Sequence, residues 1–312
     1  MAMSLPVLIA TSVVRGSEKG QSHGGVYTID FNNFRVEQHI DWNTGEIDFS
    51  GRGWDRGLRG IEFFDDQVWI AASDELFCYS PSFELLASYK NSYLKHCHEI
   101  SRRDHLLFLT STGYDSLLTF NLVTKTFSWG LYVSRNGDRW QGQRFDPLTA
   151  GGPPFSNNYH INMVFVEESG VYFSGLKSCA LLKLSSDMSI APVCSLPEGV
   201  HNARPFRDGV IFNDTKSDVI RYVSRIVEPL SIKVPSYKVE ELEFNGVDSS
   251  KVARQAFGRG LCAVSDRLVA AGSSPSTISL YDIESGERIA VVNLTMDIRN
   301  AVHGLEVWPF DH

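Results

Sequence analysis

The chain has 312 residues, of which 43% are hydrophobic, 12% aromatic and 21% charged, a composition that excludes collagen-like, disordered and membrane-spanning classes. Its net charge of −8 works against binding a polyanion such as nucleic acid, which requires clustered positive charge. Five scattered cysteines, Cys78, Cys97, Cys179, Cys194 and Cys262, form no CxxC pair, which argues against a disulfide framework or a zinc knuckle and for reduced thiols in the cytoplasm.

The first element, Leu5 to Val14, is a short apolar run with no basic segment before it. It is too short to span a bilayer and reads as a strand. Further strands follow at Gly25 to Asp30 and Arg35 to Asp41, then Gln67 to Ala72, Leu106 to Thr110, Gly170 to Ser174 and Arg267 to Ala271. Each is rich in Val, Ile, Phe, Tyr or Leu and is bounded by turn residues. No window sustains the i, i+3, i+4, i+7 spacing of an amphipathic helix, so the expectation is an all-β chain.

One pattern recurs six times: a basic or polar residue, a strand, an acidic or glycine turn, and a second apolar strand. The copies begin at Arg59 (RGIEFFDDQVWIA), His96 (HCHEISRRDHLLFLT), His160 (HINMVFVEESGVYFS), His201 (HNARPFRDGVIFN), Arg259 (RGLCAVSDRLVAAG) and His303 (HGLEVWP). Three of the five spacings lie near ~40 residues, the length of a four-stranded propeller blade. The sixth copy runs out of chain after one strand, while three N-terminal strands belong to no copy. Joining them predicts a six-bladed β-propeller over residues 1–312, one domain, closed by one C-terminal and three N-terminal strands. Such closure leaves no open sheet edge.

The alignment puts Arg59, His96, His160, His201, Arg259 and His303 at the start of the inner strands. Strand alternation places His98 and Asn162 on the same faces as His96 and His160, one step deeper. The remaining histidines, His23, His39, His105 and His312, are expected at the surface. Three insertions, Asn43 to Leu58, Ser134 to Tyr159 and Pro235 to Gly258, precede inner strands and are expected to overhang the same mouth as a lid. Loops between second and third strands add Tyr114, Asp115, Asn213, Asp214, Ser273 and Ser274 to this pocket.

Imidazoles converging on an axis suit a divalent first-row metal such as Zn, Fe or Mn, so His96, His98, His160, His201 and His303 are the candidate ligands. A metal with open positions polarises a substrate or acidifies bound water. Arg59 and Arg259 beside it would orient a carboxylate or other oxyanion. Their alternative is an ion pair with Glu62, Glu99 or Glu306. Tyr114 is a candidate general acid or base, with packing as its alternative, and Asn162, Arg144 and Asp214 are candidate substrate contacts. Trp42, Trp54, Trp69 and Trp308 read as packing residues. Gly51-Arg52-Gly53 and Gly258-Arg259-Gly260 lack the strand-to-helix context of a phosphate loop.

With Arg59 and the ring His96, His160, His201 and His303, the chain resembles six-bladed propellers that use a central funnel as an active site, above all the peptidylglycine amidating lyase. Carotenoid-cleaving oxygenases look similar in holding iron with four histidines, but on seven blades. Gluconolactonase-like propellers share the blade count, yet their calcium-binding Glu, Asn and Asp do not match. Strings such as CHEI, STGYDSLL and NAVHGLEVWP look like those of uncharacterised bacterial propellers. The resemblance implies a metal-dependent lyase or hydrolase acting on a small anionic molecule. A non-catalytic binding or interaction propeller is the alternative, and a four-histidine iron oxygenase a second one. No nucleic-acid or membrane partner is expected.

Overall fold

The computed structural model describes residues 5–18, 20–43 and 57–310. Trp54, Gly51-Arg52-Gly53 and most of the first insertion lie outside them. The fold is a six-bladed β-propeller with almost no helix; among the described residues there are only two single 3-10 turns, Val239–Glu241 and Asn245–Val247. Contacts divide the chain into two compact units, Met1–Arg59 with Phe206–His312, and Gly60–Pro205.

In chain order the strands are β1 (Leu8–Val14), β2 (Gly25–Asp30), β3 (Arg35–Asp41), β4 (Ile61–Phe64), β5 (Gln67–Ala71), β6 (Glu75–Tyr79), β7 (Leu85–Lys90), β8 (Ile100–Arg103), β9 (Leu106–Ser111), β10 (Ser116–Asn121), β11 (Thr126–Asn136) and β12 (Arg139–Phe145). They continue with β13 (Ile161–Glu167), β14 (Gly170–Gly175), β15 (Ala180–Leu184), β16 (Ile190–Ser195), β17 (Val200–Phe206), β18 (Gly209–Asp214), β19 (Val219–Val223), β20 (Leu230–Lys233), β21 (Leu261–Ala263), β22 (Leu268–Ser273), β23 (Thr277–Asp282), β24 (Arg288–Asn293) and β25 (Asn300–Val307). Five sheets are simple meanders: β4 to β7, β8 to β12, β13 to β16, β17 to β20 and β21 to β24. The sixth has the order β25-β1-β2-β3. β25 runs antiparallel to β1, from Leu8 opposite Val307 to Val14 opposite Asn300. This is the closure that the incomplete sixth copy implied.

Burial falls along each blade as the alternation requires. The inner strands β5, β6 and β23 are almost wholly buried, whereas the fourth strands β7 and β24 read mostly exposed. In the Gly60–Pro205 unit, Trp69 is completely buried, 5.7 Å from Phe120 and stacked on Tyr89 at 5.9 Å. In the other unit, Leu8, Ala10, Leu280, Val302 and Leu305 belong to one apolar cluster.

Two expectations about loops are corrected. Ser134 to Phe145 is not part of a lid: it lies in the hairpin β11-β12, which adds a fifth strand to its blade, Gly130 opposite Phe145 through Asn136 opposite Arg139. His23 is not a surface residue. It is fully buried, its Nδ1 bonded to Ser17 Oγ and its backbone N–H donated to the carbonyl of Trp42 at 2.9 Å.

Candidate functional site

In two blades the opening strand meets the second strand through a β-bulge, an extra residue that shifts the register and re-aims a side chain. In the unit holding both termini the break in register faces Thr11: Ala10 pairs with Leu305 and Ser12 with Val302. Thr11 Oγ1 accepts the Gly304 N–H at 2.8 Å and donates to the Arg59 carbonyl at 2.6 Å. In the Gly60–Pro205 unit, Ile161 pairs with Gly175 and Met163 with Ser174, leaving Asn162 as the extra residue. In the next sheet Thr110 Oγ1 accepts the N–H groups of His98 and Glu99, at 2.9 and 3.0 Å.

These registers re-align the repeat. The residue two before Ile61, Ile100, Val164, Leu261 and Leu305, which pair with Ile70, Leu109, Phe173, Ala271 and Ala10, is Arg59, His98, Asn162, Arg259 and His303. His96 and His160 therefore do not share the position of Arg59. They stand two residues earlier, each with left-handed backbone, at φ 55° and 54°.

In the Gly60–Pro205 unit, the structure brings His98 and His160 together, ring centres 5.3 Å apart and edge to face. His98 Nδ1–H donates to the carbonyl of His96 at 2.6 Å and to Thr112 Oγ1 at 3.0 Å. Thr112 can accept because it spends its own proton on the Ile161 carbonyl, at 2.5 Å. His160 Nδ1–H donates to Asn157 Oδ1 at 3.0 Å. Acceptors at both Nδ1 atoms put the lone pair of each neutral ring on Nε2.

Asp115 builds the approach to His160. Its fully buried carboxylate takes the backbone N–H groups of Asn158, Tyr159 and His160, at 2.6, 3.0 and 2.9 Å, and the hydroxyl of Ser156 at 3.0 Å. Gly175 allows the close approach, since a Cβ there would lie 2.3 Å from the Tyr159 carbonyl oxygen. Asn162 is buried, with Nδ2 3.4 Å from the Val200 carbonyl and, among the described residues, no hydrogen-bond partner for Oδ1. His201 is buried within β17, and His96 Nδ1 lies 3.4 Å from Ser73 Oγ. Among the described residues no three His, Cys, Asp or Glu side chains are grouped as a metal ion requires.

Tyr114 adjoins Asp115 and forms a backbone bridge with Ser156. The Tyr114 ring packs edge-on against Tyr93 and Phe155, at 5.3 and 5.7 Å. Arg144 is exposed on the fifth strand, its guanidinium 5.4 Å from the centre of Trp129. Glu62 belongs to Arg102, accepting its backbone N–H at 3.0 Å, and also accepts the Phe63 N–H at 2.9 Å.

The unit holding both termini carries a second constellation. Arg59 is completely buried, and Asp214, also buried, pairs with Arg221 Nε at 2.8 Å, so its carboxylate serves the blade. Arg259 Nη1 donates to His303 Nε2 at 2.7 Å, both groups being buried. An arginine cannot accept, so His303 is the neutral tautomer with its proton on Nδ1. The guanidiniums of Arg15, Arg259 and Arg254 lie 4.4, 4.8 and 5.1 Å from the centre of the Phe257 ring. Together with Ser250, Lys251, Val252 and Ala253 they line a cavity of about 330 Å³. Arg254 is braced by Asp218 Oδ1 at 2.6 Å and by the carbonyls of Gln255 and Thr215.

Sequence reasoning found Arg259, His303 and the third insertion but missed Arg15, Lys251, Arg254 and Phe257. The signal available was local: four of the ten residues from Ser250 to Arg259 are Lys, Arg or Phe in a chain of net negative charge.

No family model and no curated protein matches the chain. Among solved structures it is similar to a protein of unknown function from Bacteroides caccae, at 8% identity and a TM-score of 0.59 over 97% of this chain and 98% of that one. A chain in a nidogen/laminin complex gives a TM-score of 0.57 at 8% identity, over the same shares. Apo AztD from Citrobacter koseri gives 0.49 at 10% identity, over 95% of this chain and 84% of that one. At these identities the first two likenesses show the propeller fold alone. Among the described residues no helix is long and apolar enough to cross a membrane.

Proposed function

We propose that the chain binds a small anionic molecule in the arginine-lined cavity of the unit that holds both termini. The observation that carries this reading is the gathering of Arg15, Arg254 and Arg259 around one ring. Their distances to Phe257 keep any two guanidiniums within about 10 Å, one Debye length at 0.1 M salt. At an effective dielectric near 20, each such pair repels by upwards of about 1.5 kcal/mol, and the Asp218 carboxylate sits on one of the three, Arg254. A bound oxyanion would lower that repulsion and suits guanidinium donors geometrically.

The test is thermal melting at constant ionic strength in chloride, phosphate and citrate, with Arg259→Met as control. Phosphate or citrate should raise the melting temperature of the native chain and not of the variant. Equal melting in all three salts would overturn the reading.

A second reading keeps the metal-dependent lyase or hydrolase that the histidines suggested. It is favoured by one feature: His98 and His160 direct Nδ1–H at protein acceptors, the outer-sphere pattern by which metal-binding histidines are oriented. A divalent ion there would supply Lewis-acid chemistry. Zinc titration followed by elemental analysis tests it: a stoichiometric ion retained by the native chain and lost in His160→Ala supports it, and no retained ion overturns it.

A further inference from the structure

We infer that β12, the fifth strand of the β8 to β12 sheet, is a docking edge for an extended acidic peptide, one apolar side chain of which enters a pocket beside the strand's C-terminal end. Backbone is the first argument. Each of the other five sheets has four strands, so β12 stands beyond what the ring of blades requires. Among the described residues it pairs only with β11, and residues 141–144 are all exposed. Its outer side therefore presents a row of N–H and C=O groups, the template on which an added strand is built.

The pocket is the second argument. Tyr132 lies directly opposite Gln143, and Phe145 opposite Gly130, so both rings and the amide share one face of the hairpin. Against that face residues 151–154, Gly-Gly-Pro-Pro, close a cavity of about 150 Å³. The closing segment is pinned at three points: Asn91 Nδ2–H donates to the Pro147 carbonyl at 3.0 Å, the Gly152 N–H to Tyr93 OH at 2.8 Å, and Ser156 Oγ–H to Asp115 Oδ2 at 3.0 Å. Small-molecule sites run to roughly 300–1,000 Å³. This one is smaller, and among the described residues no charged side chain lines it, which suits a single apolar side chain.

Charge is the third argument, and it selects the occupant. Residues 139–145 contain two arginines and no carboxylate, in a chain of net charge −8. Arg139 and Arg144 are exposed, the Arg144 guanidinium lying 5.4 Å from the centre of Trp129, and among the described residues neither has a carboxylate partner. Two copies of β12 paired edge to edge would gather arginines with no acid between them, whereas an acidic strand pairs with both. Alternation puts Arg139 on the pocket face with Gln143, and Arg144 on the other face. The peptide that fits therefore has its apolar residue opposite Gln143, an acid beside it opposite Arg144, and a second acid four residues from the apolar one, opposite Arg139.

The experiment is fluorescence anisotropy of the intact chain with the labelled peptide Ser-Asp-Leu-Thr-Val-Thr-Asp-Ser at constant ionic strength. The native chain should bind it. N-methylation at alternate peptide residues should weaken binding by about tenfold or more in one of the two phases and little in the other, since only one phase faces β12. Arg139→Glu combined with Arg144→Glu should lose the peptide and take up its counterpart with lysine in place of aspartate. Gly151→Leu, whose Cβ would meet nothing nearer than Thr149 Oγ1 at 3.8 Å, should weaken binding by filling the pocket. Both variants should keep the native circular dichroism spectrum. Absence of binding by the native chain, or equal loss in both N-methylated peptides, overturns the proposal. So does a dimer in sedimentation that the double arginine variant alters, which would make a second copy the occupant of this edge.

Discussion

Asp115 and His160 are joined by a backbone hydrogen bond, His160 N–H to Asp115 Oδ1 at 2.9 Å, which holds a left-handed histidine against the ring of His98. The same carboxylate takes two further N–H groups and a hydroxyl, so the acid is a template for the segment entering β13. Replacing it with alanine removes the acceptor of three part-buried backbone donors and leaves a gap at a fully buried position. Asp115→Ala should lower stability by roughly 3–5 kcal/mol, and Asp115→Asn, which keeps one acceptor oxygen, by roughly 1–3 kcal/mol. Urea denaturation measures both, and the His160 ring resonances should move in the asparagine variant while those of His105 stay.

Trp69 supplies a second prediction. It is fully buried against Tyr89 and Phe120, with Lys125 Nζ 4.3 Å from its ring centre. Trp69→Ala should cost about 3–5 kcal/mol, and Trp69→Phe markedly less because most of the packed volume is kept. Paired denaturation curves of the two variants give the comparison directly.

The blades were legible in the sequence because strand, turn and strand recur there as apolar runs punctuated by Gly, Asp and Asn. The ring position was legible at Arg59, Arg259 and His303, where a basic residue directly precedes a glycine. It was misplaced by two residues at His96 and His160. Those two copies were aligned on their first histidine, whereas the strand pairing sets His98 and Asn162 level with Arg59. The arginine cavity escaped notice for another reason: Arg15 and Arg254 are far apart in sequence, and each looks like an ordinary surface charge until the fold brings both to Phe257.

The Asp208 carboxyl titrates well below its ordinary value of 3.8, at about 2, because Ser224 Oγ and Tyr222 OH donate to its oxygens. The folded state thus holds this proton less tightly than the unfolded state. Its contribution to stability is complete above about pH 4 and is lost as pH falls through about 2. Asp208→Asn should flatten the acid limb of the stability curve in that window, read from urea midpoints between pH 5 and pH 2.

Glu62 carries the opposite sign. Its apolar surroundings push the carboxyl above its ordinary 4.5, and the Phe63 N–H and Arg102 offset this only in part. The folded state therefore retains the proton longer than the unfolded state, and this group removes stability as pH rises from 4.5 through the folded value. Glu62→Gln should abolish that slope, whereas Arg102→Met should steepen it. Melting temperatures from pH 4 to pH 8 separate the two.

The pairing of β25 with β1 has a consequence for the order in which the chain acquires its structure during synthesis. The unit Gly60–Pro205 has all of its residues once Pro205 has emerged from the ribosome. Strand β1, made first, must keep one row of backbone donors and acceptors uncovered until Asn300 to Val307 arrive nearly three hundred residues later. At about 5–20 residues per second that wait lasts tens of seconds, so the sheet edge most exposed to mispairing is the one the nascent chain displays longest.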